Sequence, residues 1–95
     1  MPIDFHQKVR LSPDVLFREL DGEAVLLDLE GEYYYGLNVV GTRVWQLLEE
    51  CATMNEVQAR LLEEFEVEEE QLGADLERLA DDLLEAGLLQ VLTDE

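Results

Sequence analysis

A chain of 95 residues provides for one domain and one core, not for a deep catalytic cleft on a separate scaffold. An apolar content of 47% excludes a disordered tail even though 32% of the residues are charged. With 24 acids against 6 bases the net charge is −18, a field that repels phosphate backbones and favours a cationic partner.

The charge is uneven along the chain. Residues 1–48 carry 8 acids and 4 bases, net −4, and residues 49–95 carry 16 acids and 2 bases, net −14. Cys51 is the sole cysteine and has no internal disulfide partner, which fits a reducing cytoplasm. No run approaches the ~20 apolar residues of a membrane span. Met1-Pro2-Ile3-Asp4-Phe5 lacks the basic and apolar regions of a secretory signal, so none is expected here.

The first third of the chain has strand character. Val9-Arg10-Leu11 is a short strand candidate, and Val15–Leu20 is a stronger one after the breaker Ser12-Pro13. Asp21-Gly22 separates that run from a third, residues 23–29. Asp-Gly between two apolar runs signals a tight hairpin, because the turn with the favoured twist needs positive φ. Glu30-Gly31 repeats the signal before Glu32-Tyr33-Tyr34-Tyr35-Gly36-Leu37. The expected product is a three-stranded antiparallel meander. Period-2 alternation puts Tyr33, Tyr35 and Leu37 on one face of its last strand and Tyr34 and Gly36 on the other.

Helical periodicity begins after Asn38, a good N-cap for a helix over residues 39–50 whose stripe is Val40, Val44, Leu47 and Leu48, with Trp45 alongside. Thr53-Met54-Asn55-Glu56 is a capping box opening a second helix with Met54, Val57, Leu61 and Phe65 on its apolar face. A third helix over 69–86 carries Leu72, Leu76, Leu79 and Leu83, widened by Ala80 and Leu84, and Gly87 ends it. Leu88–Leu92 is an apolar tail that should pack back or add a short strand.

A meander followed by three helices predicts an α+β domain of winged helix-turn-helix type spanning 1–95, with the meander over about 9–37 and the three-helix part and tail over 38–92. Such a fold usually meets DNA. Here the third helix presents seven acids against a lone Arg78, so phosphate contacts are wanting and no nucleic-acid role is expected.

Chemistry-bearing constellations are equally scarce. His6 stands alone in a polar segment, and Cys51 has no base beside it to generate a thiolate. The runs Glu68-Glu69-Glu70 and Asp81-Asp82 look like solvated faces. No metal, cofactor or catalytic residue is assigned, and no enzymatic activity is expected. The tyrosine strand is more suggestive. Tyrosines favour strands, and these could simply cap the core. As the last strand of the meander, however, it offers free N–H and C=O groups to an extended peptide, with aromatic contact area beside them.

The run Gly31–Leu48, with Leu37-Asn38 leading into Val44-Trp45-Gln46-Leu47-Leu48, resembles the centre of the PqqD family. Asp75–Leu79 and Leu84-Glu85-Ala86-Gly87-Leu88-Leu89 resemble its third helix and terminal Gly-Leu-Leu. The similarity covers about Val9 to Leu92. It implies a RiPP recognition element, a module that binds the leader of a ribosomally made precursor peptide, adding it as a strand beside the tyrosine strand and against the third helix. Lasso-peptide clusters contain stand-alone members of this size that deliver the precursor to a leader peptidase, with a macrolactam synthetase closing the ring; this type is favoured. The alternatives are a PQQ-type chaperone serving a radical S-adenosylmethionine enzyme, or an acidic protein–protein adaptor that reads no peptide strand.

Carried onto this chain, the resemblance implies peptide contacts from Tyr33, Tyr34, Tyr35 and Leu37 and from a facing helix that begins at Leu72, with pockets floored by Leu76, Leu79 and Leu83 and contributions from Val25 and Leu27. Asp75 and Asp82 are placed to meet a basic leader residue.

Overall fold

The computed structural model describes residues 4–29 and 33–92, with Tyr33 described in its backbone only. Strands β1 (Val9–Leu11), β2 (Val15–Leu20), β3 (Glu23–Asp28) and β4 (Tyr33–Leu37) precede helices α1 (Val39–Leu48), α2 (Met54–Glu64) and α3 (Glu69–Glu85), and β5 (Leu89–Val91) closes the series. This is an α+β fold. The expected meander is an antiparallel sheet in the order β2-β3-β4. Among the described residues no helix is long and apolar enough to cross a membrane.

The Asp21-Gly22 hairpin forms as expected, with φ of 55° and 85°. Both values fall in the left-handed region that a two-residue turn of this hand requires. That turn sets the register, pairing Phe17 with Leu26 and Arg18 with Val25. The Glu30-Gly31 turn lies outside the described residues.

One strand is placed differently from the sequence reading. β1 is not part of the meander; it pairs antiparallel with β5, Val9 opposite Val91 and Leu11 opposite Leu89. Ser12-Pro13 interrupts the chain between β1 and β2, and the apolar tail supplies a second short partner. The arrangement clasps the two ends of the domain. The Leu92 N–H donates to the Lys8 carbonyl at 2.8 Å, and the Val9 N–H donates to the Ala52 carbonyl at 2.8 Å.

Helix boundaries follow local chemistry. Asn38 caps α1, its side-chain oxygen accepting from the Gly41 N–H at 2.8 Å. At α2 the Thr53 hydroxyl oxygen accepts from the Glu56 N–H, as a capping box requires, at 3.2 Å. Glu56 departs from the pattern: its carboxylate accepts the Thr53 hydroxyl proton at 3.2 Å. α3 ends in a Schellman motif. The Leu88 N–H reaches the Leu83 carbonyl at 2.9 Å and the Gly87 N–H reaches Leu84 at 3.1 Å, with Gly87 at φ 78°. A Cβ on Gly87 meets open space. Gly87→Ala should therefore cost only the left-handed backbone strain, about 1 kcal/mol, read as a lowered urea midpoint with an unchanged slope.

The inner face of the sheet, carrying Ala24, Leu26 and Leu37, packs on Val44, Trp45, Leu47 and Leu48 of α1, and the core continues through Met54, Val57 and Leu61 of α2 to Leu72, Leu76, Ala80 and Leu83 of α3. A fork between Arg43 and Glu64, with N–O distances of 2.7 and 2.8 Å, ties α1 to the end of α2. Cys51 is buried, and desolvation, foremost, pushes its thiol up from the ordinary range. Iodoacetamide should alkylate native Cys51 at least about tenfold more slowly than the urea-unfolded chain.

Candidate functional site

A groove of about 380 Å³ lies between the outer edge of β4 and α3. One wall is the strand end Tyr35-Gly36-Leu37, followed by Asn38, Val40 and Gly41. The floor is Leu72, Leu76 and Leu79, one helical stripe. Phe65 and Val67, from the connection between α2 and α3, form an apolar end. Gln71, Asp75, Arg78 and Asp82 line the far side on α3.

The walls arise from two simple periodicities. β4 is last in the sheet and pairs with β3 only, so among the described residues no strand occupies its outer edge. Its alternation sends Leu37 into the core and Tyr35 to a half-buried position, while Tyr34 is 73% exposed. On α3 the buried positions run Leu72, Leu76, Ala80, Leu83. Leu79 is rotated off that line and is half-buried, touching the core from its margin and facing the groove.

The expected site residues therefore separate into groups. Tyr35, Leu37, Leu72, Asp75, Leu76, Leu79 and Asp82 meet around the groove. Leu83 is fully buried and does not line it. Val25 and Leu27 lie in register with Gly36 and Tyr34, which puts these residues on the sheet's opposite face. Tyr33 opens β4 opposite Asp28; its side chain lies outside the described residues.

Phe65, Val67, Gln71 and Arg78 were not among the expected contacts. Phe65 had been visible as the end of the α2 stripe, but α2 stops before it and turns the ring to the groove. No pattern in the sequence marks Val67, which sits 43% exposed in an irregular connection.

The groove is apolar at its floor and charged along one rim. The Tyr35 hydroxyl donates to the Asp82 carboxylate at 3.3 Å, a long bond linking β4 to α3. Burial, first, and then the neighbouring Asp82 charge hold the Tyr35 phenol above its usual range, so it stays a neutral donor through ordinary pH. Asp75 accepts from the Gln71 amide at 3.1 Å. Among the described residues no cluster of three or more His, Cys, Asp or Glu side chains is arranged to hold a metal ion. A sheet edge unpaired among the described residues, beside an apolar stripe and with carboxylates at the rim, can hold an extended peptide that alternates apolar and polar residues.

A family model described as coenzyme PQQ synthesis protein D (PqqD) matches residues 23–89. Comparison with curated proteins gives no match. Among solved structures, TbiB1 in complex with the TbiA(beta) leader peptide is similar with a TM-score of 0.80 and 33% identity, over 90% of this chain and 99% of that one. A lasso peptide synthetase B1 complexed with the leader peptide is similar with a TM-score of 0.74 and 29% identity, over 86% of this chain and 96% of that one.

Proposed function

This chain belongs to the PqqD family, and on that premise we propose that it captures the leader segment of a ribosomally synthesised precursor peptide and catalyses no reaction itself. The leader adds as a strand to the outer edge of β4 and presses its apolar side chains onto Leu72, Leu76 and Leu79. The observation that carries the reading is the outer edge of β4, unpaired among the described residues, held beside the apolar stripe of α3 across one groove. Its support from relatives is that both similar solved structures are complexes with leader peptides.

Each part has a physical task. Main-chain bonds to β4 hold any extended sequence, each contributing a net ~0.5–1.5 kcal/mol. Discrimination comes from the floor and from Phe65 and Val67, which accept apolar side chains of suitable size. Asp75 and Asp82 favour a basic residue at the rim, and Arg78 between them favours an acidic one. The leader is disordered when free, so its ordering entropy moderates affinity. The bound precursor is presented to maturation enzymes, a leader peptidase first, in the cytoplasm. The lasso-type pathway is favoured because a lasso peptide synthetase B1 is among the structural relatives. The family model's description keeps a PQQ-type precursor chaperone as the second reading.

Titrating the isolated protein with the leader encoded by the neighbouring precursor gene tests this directly. Nanomolar-to-micromolar binding with shifts concentrated in β4 and α3 amides is expected. Failure to bind every leader of the gene cluster would sink the proposal, and binding without β4 shifts would point instead to an acidic adaptor. For a basic leader, the association rate should fall about tenfold or more between about 0.05 M and about 0.5 M salt, because the −18 field is screened; dissociation should change far less.

A further inference from the structure

The groove uses one face and one edge of the β2-β3-β4 sheet, and the opposite face carries a second apolar surface. Leu16, Leu27 and Tyr34 stand in one cross-strand row, paired Leu16 to Leu27 and Leu27 to Tyr34. Arg18, Val25 and Gly36 form the next row, and Leu20 stands opposite Glu23 in the third. Leu16 is 39% exposed, Val25 42% and Leu20 78%. No described helix covers these side chains, whereas the inner face of the same three strands is packed by α1. A contiguous apolar face of this kind on a small domain marks a contact surface.

We propose that this outer sheet face docks a protein partner whose contact surface is apolar at its centre, with a carboxylate placed to meet Arg18 and basic residues at its margin. Charge decides the occupant. Arg18 sits among the apolar side chains, between Leu16 and Leu20 on its strand, and has no ion-pair partner among the described residues. Asp21 and Glu23 bound the patch at the hairpin end. A second copy of this chain would bring Arg18 toward its own equivalent across a twofold axis, under mutual repulsion of two −18 charges. An anionic membrane surface is repelled by the same field. A heterologous surface with a carboxylate for Arg18 and lysines or arginines for the acidic margin satisfies every group, in the usual pattern of an apolar interface core with a polar rim.

The consequence is that peptide and partner are held on opposite faces of one sheet at the same time. Because the partner chosen for the test is the leader peptidase, the proposal rests in that respect on the function proposed above. The immobilised peptidase is exposed to wild-type protein, Leu16→Lys/Leu20→Lys, Arg18→Glu and Arg18→Lys, each with and without leader; leader affinity is measured separately by fluorescence anisotropy. The double variant should keep its leader affinity within about twofold and lose at least about tenfold in peptidase binding. Arg18→Glu should weaken docking severalfold and Arg18→Lys should restore it. Circular dichroism checks the fold, and the single Leu20→Lys variant, at a position almost wholly in solvent, replaces the double variant if that melts early.

Docking that survives Leu16→Lys/Leu20→Lys overturns the proposal, as does a wild-type protein that does not dock. A wild-type homodimer in light scattering that the double variant abolishes also overturns it, assigning the face to a second copy. The anisotropy arm reports on leader capture alone: a wild-type protein that docks through this face but binds no leader overturns the proposed function and supports the docking face.

Discussion

Leu79→Asp is expected to weaken leader binding at least about 100-fold while the domain stays folded. Leu79 is half-buried on the floor of the groove, so in the free protein its carboxylate substitute can turn toward water. In the complex an added strand would cover it. Enclosing an unpaired carboxylate against apolar side chains costs several kcal/mol, and each ~1.4 kcal/mol is tenfold in affinity. Charge effects elsewhere predict the opposite sign only for a leader with a basic residue at that pocket, so Leu79→Met serves as the control: similar volume, no charge, and binding within a few-fold of the original. Isothermal titration with the leader, alongside far-ultraviolet circular dichroism, checks both. A folded Leu79→Asp protein with undiminished affinity would remove the α3 floor from the binding site.

Leu76→Asp, only three residues away, is expected to unfold the chain. Leu76 is 1% exposed and joins the core cluster that runs from the sheet through α1 and α2 to α3. Leu76 touches the groove with only that 1% of its surface, so a carboxylate there would sit against the core cluster with almost none of its hydration. Even the milder Leu76→Ala should cost ~2–5 kcal/mol through lost burial and a residual cavity. A domain of this length has about 5–14 kcal/mol of stability in all, so the alanine variant remains folded but melts much earlier. Chemical denaturation of the alanine variant gives the size of the effect. A loss below about 1 kcal/mol would mean that α3 is not anchored as its burial implies.

The contrast between these two leucines marks the limit of what the sequence reveals. The stripe Leu72, Leu76, Leu79, Leu83 was legible from its spacing, and so was the helix it defines. Its division was not. A helical stripe more than 100° wide contains both the residues that face the core and those at its margin. Which margin opens onto a groove depends on where β4 runs. Hence Leu79 belongs to the groove floor, while Leu83, equally apolar and equally well spaced, is sealed in the core with Ala80.

Local chemistry was read with more success. The Asp21-Gly22 turn, the Asn38 and Thr53 caps and the Gly87 terminus each depend on a few neighbouring residues and formed where their patterns stood. Non-local pairing was harder. The partner of β1 is β5, some 80 positions away, and a three-residue strand carries too little pattern to announce its partner.

By itself, then, the sequence determined the elements, the alternation on the tyrosine strand, the −18 field that disfavours nucleic acid, and the family resemblance. These follow from spacing, composition and turn chemistry, which act over a few residues or over the whole sum. Only the tertiary structure decided which face of the sheet packs on α1 and so which edge lies beside α3. That choice placed Tyr35 and Leu37 beside the groove, put Val25 and Leu27 on the other side with Leu16 and Leu20, and brought Phe65, Val67 and Arg78 to a site no spacing had joined them to. The reason is geometric: period-2 alternation tells which side chains share a face, and only packing tells what that face will touch.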